Sequence, residues 1–241
     1  MLRKTLIGFA LLLALGAAGV YLAFNYLDVI VKMALEHWGP DVTGVPVKVG
    51  QVQISPRDGR GSIRGLELGS PKGFTAARAV RFGEVRLAID PATVTSPVIF
   101  IREIAIEAPQ ITYEKSSGPS NLDAIQRSID AYVKQAAGKE AEGKGMPSVK
   151  RRFVIERLAI RGARVTMTTA GLRGQGINFD LPDIELRDIG KRQNGVTASE
   201  AAALVASTLQ VKIAQKVLTN MDLLRKGGVE GAIDALRGLL K

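Results

Sequence analysis

The chain has 241 residues, with 33 Lys+Arg against 23 Asp+Glu, a formal net charge of +10, and no cysteine. The missing cysteines exclude disulfides, thiolate metal sites and a cysteine nucleophile, and so basic a balance calls for an anionic neighbour. Aromatics make up only 5%, without the aromatic–basic cluster of an RNA-binding sheet, so nucleic acid is not the expected partner.

After "MLRK" the chain is uncharged from Thr5 to Leu27, a run of 23 residues, and about 20 apolar residues suffice for a helix to cross the hydrocarbon core. Arg3 and Lys4 precede the run, while Asp28, Lys32, Glu36 and Asp41 follow it. The positive-inside rule then puts the N-terminus in the cytoplasm and the bulk across the membrane. The competing reading is a cleaved signal peptide, with "LIGFALLLAL" as its apolar region and "GAAG" as its small-residue site. The apolar run continues past "GAAG", which favours a retained anchor over 1–27, with a juxtamembrane helix over 28–44. Ala10, Ala14 and Ala18 recur every four residues, a stripe suited to helix packing in lipid.

From Val45 the period changes to two. Val45, Val47 and Val49 alternate with Pro46 and Lys48, Val52 and Ile54 follow, Ile63, Leu66 and Leu68 come after a Gly-rich turn, and Val85, Leu87 and Ile89 alternate again. "VIFIREIAIEAPQITYE" adds Ile104 and Ile106, a break at Pro109, and Ile111. "RFVIERLAIRGARVTMTT" supplies Leu158 and Ile160, and "GINFDLPDIELRDIG" follows. Such alternation reads as half-buried antiparallel strands. An internal echo aligns "REIAIEAPQITYE" (102–114) with "ERLAIRGARVTMT" (156–168), each a strand, a short break and a second strand, as in a sheet that grows by like units.

Between the β blocks, Ser120 with Asp123 forms a capping-box-like start. Leu122, Ile125, Ile129, Val133 and Ala136 then mark one face of a helix expected to close an edge or end of the sheet. Residues 138–152, rich in Gly and Lys, read as a mobile loop. After Gly195, "TASE" is a capping box opening a long Ala-rich helix to about Leu224, whose apolar positions are read as Leu204, Val211, Ala214, Leu218 and Met221. A shorter amphipathic helix follows from Val229.

The chemical motifs fail on inspection. Gly138, Gly143 and Lys144 imitate a phosphate-binding loop, but Gly145 replaces the required hydroxyl and a helix precedes the motif where a strand is needed. "GRGSIRG" has the wrong last gap for a dinucleotide fingerprint and leads into a strand. His37 is the only histidine, too few for a His-rich metal site or a readily built triad. Asp180, Asp183, Glu185 and Asp188 lack EF-hand spacing and read as a solvated strand face. No catalytic constellation, cofactor site or metal site is expected, and the chain reads as a non-enzyme.

The β blocks "VGQVQISPRDGRGSIRGLELGSPKGF" (49–74) and "FGEVRLAIDPATV…IREIAIEAPQITYE" (82–114), with "SNLDAI" (120–125), resemble the N-terminal module of AsmA-like proteins of the bacterial envelope. "LPDIELRDIG…GVTASEAA" (181–202) resembles a small subgroup of them, and the likeness covers roughly residues 1–215. The resemblance implies an inner-membrane anchor and a periplasmic β-rich part akin to lipid-transfer proteins, which build a trough with an apolar interior. It carries over no active site.

The expected fold is therefore α+β: an N-terminal transmembrane helix (1–27), a juxtamembrane helix (28–44), a β-rich domain (45–195) and C-terminal helices (196–241). The sheet is expected to be antiparallel and curved into a trough or incomplete barrel, with the helix and basic loop 120–152 inserted. About eight strands at ~4.8 Å would make it roughly 38 Å across. Val85, Leu87, Ile89, Ile104, Ile106, Leu158 and Ile160 are the candidate lining, and Lys150, Arg151 and Arg152 are candidate contacts for anionic lipid. Shielding a diacyl lipid, ~30 CH₂ at ~0.8 kcal/mol each, would be worth on the order of 24 kcal/mol. The expected function is binding or handing on phospholipid or another envelope lipid at the inner membrane, with a protein partner docked through 197–241. The alternative is an envelope adaptor with an ordinary closed core.

Overall fold

The computed structural model describes residues 26–115, 118–141, 151–169 and 176–226. Within them lie three helices, α1 (Leu27–Thr43), α2 (Asn121–Ala141) and α3 (Ala198–Lys226), and ten strands. The strands are β1 (Val47–Lys48), β2 (Gln51–Ser55), β3 (Arg60–Gly69), β4 (Arg78–Ile89), β5 (Val98–Glu107), β6 (Gln110–Lys115), β7 (Arg152–Arg161), β8 (Arg164–Thr169), β9 (Ile177–Asp180) and β10 (Ile184–Ile189). The expected anchor, its Ala10–Ala14–Ala18 stripe, Lys150 and the helix from Val229 lie outside the described residues. Among those described, no helix is long and apolar enough to cross a membrane.

The fold is α+β around one open, mostly antiparallel sheet that does not curl into a barrel. Ten strands make a sheet only six deep, because β1 and β2 share one side of β3, and β5–β6, β7–β8 and β10–β9 run end to end. Five spacings of ~4.8 Å give a width of about 24 Å, narrower than eight full strands would. Not every pair is antiparallel: β5 runs parallel to β7, and β6 to β8. The reason is α2, which carries the chain back along the sheet so that β7 starts at the same end as β5, as parallel pairing requires. The internal echo is the register of this pairing. Ile104 lies beside Leu158, Ile106 beside Ile160 and Thr112 beside Thr166.

Paired residues share a face, so apolar rows cross the sheet. One row is Ile63, Val85, Ile106, Ile160 and Ile184. Another is Leu87, Ile104, Leu158 and Leu186, and a third is Ile89, Ile101, Ile155 and Ile189. The opposite face is charged, with Arg64, Glu84, Arg86, Glu107 and Arg161 linked across β3, β4, β5 and β7 at 2.6–3.2 Å. Exposed pairs of this kind add about 0–1 kcal/mol each; their main effect is to mark which face meets water.

The apolar face survives a fault line across the strands. Ile106 and Ile111 are five residues apart and both reach the core, as do Ile160 and Val165; regular alternation would put each pair on opposite faces. Between them Ala108 (φ 47°) and Gly162 (φ 61°) take left-handed conformations. The Ala108 N–H donates to the Arg161 carbonyl at 2.8 Å, joining the two kinks. The aligned irregularities reset the alternation together, as bulges do, and the helices face apolar residues on both sides of the line.

Helix α2 lies over the apolar face, with Leu122, Ile125 and Ile129 buried in the common core, where the expected place was an edge or end of the sheet. It also extends to Ala141, so residues 138–141 are helical. Helix α1 takes the edge instead. Asp28 Oδ1 accepts from Ile54 N–H at 2.8 Å, Lys32 Nζ donates to the Gly50 carbonyl at 3.1 Å, and Glu36 Oε1 accepts from Val49 N–H at 2.9 Å. Charges spaced four apart share one helix face, and here that face covers backbone groups an edge strand leaves unpaired.

Gly44 ends α1 at φ 71°, the left-handed cap that favours glycine, and any Cβ there would overlap the Ser128 side chain of α2, 2.8 Å from its Cβ. Gly44→Ala should therefore lower stability by about 2 kcal/mol, strain and overlap together. Gly73→Ala, also at positive φ but with nothing within 4 Å, should cost less. Urea denaturation of both variants checks the order.

Candidate functional site: an apolar cavity between sheet and helices

The rows of β-branched and leucine side chains leave a surface that α2 and α3 cover. Helix α3 covers it with unusually small residues. It is led onto the sheet by the turn after β10, where Phe153 and Val196 exchange backbone hydrogen bonds at 2.7 and 2.9 Å. Thr197 and Glu200 then cap the helix reciprocally: Thr197 N–H donates to Glu200 Oε2 at 2.7 Å and Glu200 N–H to Thr197 Oγ1 at 3.2 Å. From this start, Ala198, Ala201, Ala202, Val205, Ala206, Leu209 and Gln210 recur at three- and four-residue spacing on the inner side, one continuous helical face.

Under that face is a cavity of about 380 Å³. Its floor is Ile101, Ile104, Ile106, Phe153, Ile155 and Leu158, and α2 supplies Leu122, Ile125 and Ile129. Of the lining residues only Thr43 and Gln210 carry a polar side chain. Ala198 and Ala202 are exposed to solvent while also lining the space, so the cavity opens near the start of α3.

The α2 wall is held by a buried polar knot. Asn121 is fully buried. Its Oδ1 accepts from the N–H groups of Glu114 and Leu122, both at 2.9 Å, and its Nδ2 donates to the Thr112 carbonyl at 2.7 Å. Ser120 and Asp123 cap each other's backbone N–H at 2.8 and 3.1 Å, the predicted box. Glu114, 8% exposed, accepts from Thr75 N–H, Thr75 Oγ1 and Ala76 N–H, all at 2.8 Å. Burial pushes its pKa up, but those donors outweigh burial and hold it below the usual glutamate range.

The candidate lining residues from the sequence all sit on the apolar face but divide in position. Ile104, Ile106 and Leu158 line the cavity. Ile160 is packed into the core, and Val85, Leu87 and Ile89 pack against it as partly buried residues. Arg151 donates to the Val94 carbonyl, and Arg152 Nε donates to the carbonyls of Asn194 at 3.2 Å and Gly195 at 3.1 Å. The cluster of carboxylates separates: Asp180 meets Arg164, Asp183 accepts from Gly162 N–H, Glu185 meets Arg187 and Asp188 meets Lys191. No group of three or more potential metal ligands occurs among the described residues.

Of the positions expected on the apolar face of α3, Leu204, Val211 and Ala214 are exposed, and the side chains of Leu218 and Met221 lie outside the described residues. Leu204 and Val211 are 40% and 54% exposed, while the inner face is mostly alanine. Its signal was present as Ala at 198, 201, 202 and 206, the spacing of one face. No protein-family model matches the chain, and no curated protein matches it.

Replacing Glu114 with Gln should cost about 1–3 kcal/mol at neutral pH, because it removes a buried acceptor of several N–H and O–H groups. A depressed folded pKa stabilises above the unfolded pKa, and that stability is lost as pH falls through the folded value. The deficit of Glu114→Gln relative to the natural chain should thus shrink on acidification below the usual glutamate range, as read by denaturation midpoints across pH.

Proposed function

We propose that the protein is held at a membrane by residues 5–27 and takes one acyl chain of a lipid or single-chain amphiphile into the cavity under α3. The observation that carries this reading is an apolar space bounded by alanines where a core of this kind is normally filled. Protein interiors pack as densely as organic crystals, and 380 Å³ lies within the range of small-molecule pockets. A water needs only about 10–15 Å³ of such space and a methylene is of similar size, so the cavity has room for an alkyl chain.

The lining sets the chemistry of the expected ligand. Each buried methylene represents ~0.8 kcal/mol of gross transfer energy before ordering costs, so an alkyl chain is the ligand such a lining favours. The trough is then a space between the open sheet and its helices, with no need for the sheet to curl into a barrel. An anionic head group fits a rim near Arg151 and Arg152. Arg152 grips Gly195, three residues before the rim residue Ala198, and Phe153 of the floor follows it directly. The resemblance to AsmA-like envelope proteins supports the same reading, with the bulk of the chain in the periplasm of a bacterial inner-membrane protein.

A second reading, an envelope adaptor, draws on α3. Leu204 and Val211 are seven residues apart and exposed, on a face away from the cavity, and would suit a partner docking through 197–241. The cavity reading is preferred because an adaptor has no use for an unfilled core.

The full chain extracted in mild detergent should carry one single-chain amphiphile per protein in native mass spectrometry. Ala206→Phe fills the cavity and should reduce binding of a fluorescent fatty acid at least about tenfold, a loss of about 1.4 kcal/mol, while leaving thermal stability equal or higher, since filling a void favours the folded state. Unchanged binding in Ala206→Phe would remove the basis of this reading.

A further inference from the structure

Helix α1 is amphipathic in the wrong sense for a helix facing water. Its charged residues Asp28, Lys32 and Glu36 point inward to the sheet edge. Its outer side is Val29, Ile30, Met33, His37 and Trp38, extended by Tyr26 just before the helix and Asp41 near its end. Tyr26 is 55% exposed, Met33 56% and Trp38 61%. A surface helix ordinarily turns its polar face to solvent.

From this inversion we infer that the outer face of α1 lies in the interface of a lipid bilayer, with the helix axis along the membrane plane and the domain stacked on its inner side. Three observations select lipid as the occupant. The uncharged run Thr5–Leu27 leads directly into the helix, so a span through residues 5–27 delivers the stripe to the membrane surface. Tyr26 and Trp38 stand near the two ends, residue types that favour the headgroup level. Asp41 is the only charged residue among the exposed positions of the helix, and it lies at the end farthest from the run.

The sheet limits the orientation further. Because α1 is stitched along the edge of β1 and β2, it cannot enter the hydrocarbon without taking polar edge groups with it, which is prohibitive. It lies on the surface as an interfacial helix does, and seventeen residues make a platform about 25 Å long. The β1–β2 edge is then the side of the domain nearest the bilayer. The inference rests on the membrane location in the proposed function but not on what fills the cavity.

Trp38 is the only tryptophan, so the natural chain reports on its own stripe. Full-length protein is reconstituted into vesicles of phosphatidylethanolamine and phosphatidylglycerol and recovered by flotation. Trp38 should then lose quenching by aqueous iodide and gain quenching by lipids spin-labelled near the headgroup. The Ile30→Glu/Met33→Glu variant, changed only at exposed positions, should still float but regain iodide quenching. Iodide access unchanged in floated vesicles overturns the inference alone. Shielding from iodide without quenching by spin-labelled lipid also overturns it, because protein then covers the stripe. Failure to float overturns the membrane location and the inference with it.

Discussion

An open sheet with one apolar face must be covered, and the quality of that cover decides what the protein can do. Here the apolar rows run across β3, β4, β5, β7 and β10, and the fault line through Ala108 and Gly162 keeps the face apolar on both sides. Helix α2 brings Leu122, Ile125 and Ile129, which fill their share of the surface. Helix α3 brings alanine, which approaches closely yet leaves volume unfilled. The cavity follows from side-chain size on one helix face; sheet curvature has no part in it.

The same economy of elements governs the edges. A sheet edge with free N–H and C=O groups invites pairing with other chains. Helix α1 answers the β1–β2 edge with Asp28, Lys32 and Glu36. With those charges turned to the edge, Val29, Ile30, Met33 and Trp38 lie on the exposed side. The exposed stripe from Val29 to Trp38 is the counterpart of that edge protection, and the membrane surface proposed for it would suit both faces of the helix.

Much of this was legible in the residues. The strands from Val45 to Ile189, the break at Pro109 and both capping boxes follow from period and local chemistry. The seven candidate lining residues do share a face, because alternation alone decides facing within a strand. Parallel pairing of β5 with β7 was visible only as an echo, since the same alternation serves either direction. What the sequence hid was relational: Asp28, Lys32 and Glu36 looked like topology signals until the edge they bind was in view. The alanines of α3 drew less notice than Leu204 and Val211, because hydrophobic size suggests burial when only one element is considered.

The account stands on a tail entering the space beneath α3. The most direct measurement is photo-crosslinking of the full-length protein in vesicles with a fatty acid carrying a diazirine near its methyl end, followed by peptide mapping. Adducts should fall on β5, β7 and the first turns of α3, around Ile101, Leu158 and Val205. Adducts confined to the Tyr26–Trp38 stripe, or absent from the sheet altogether, would contradict it.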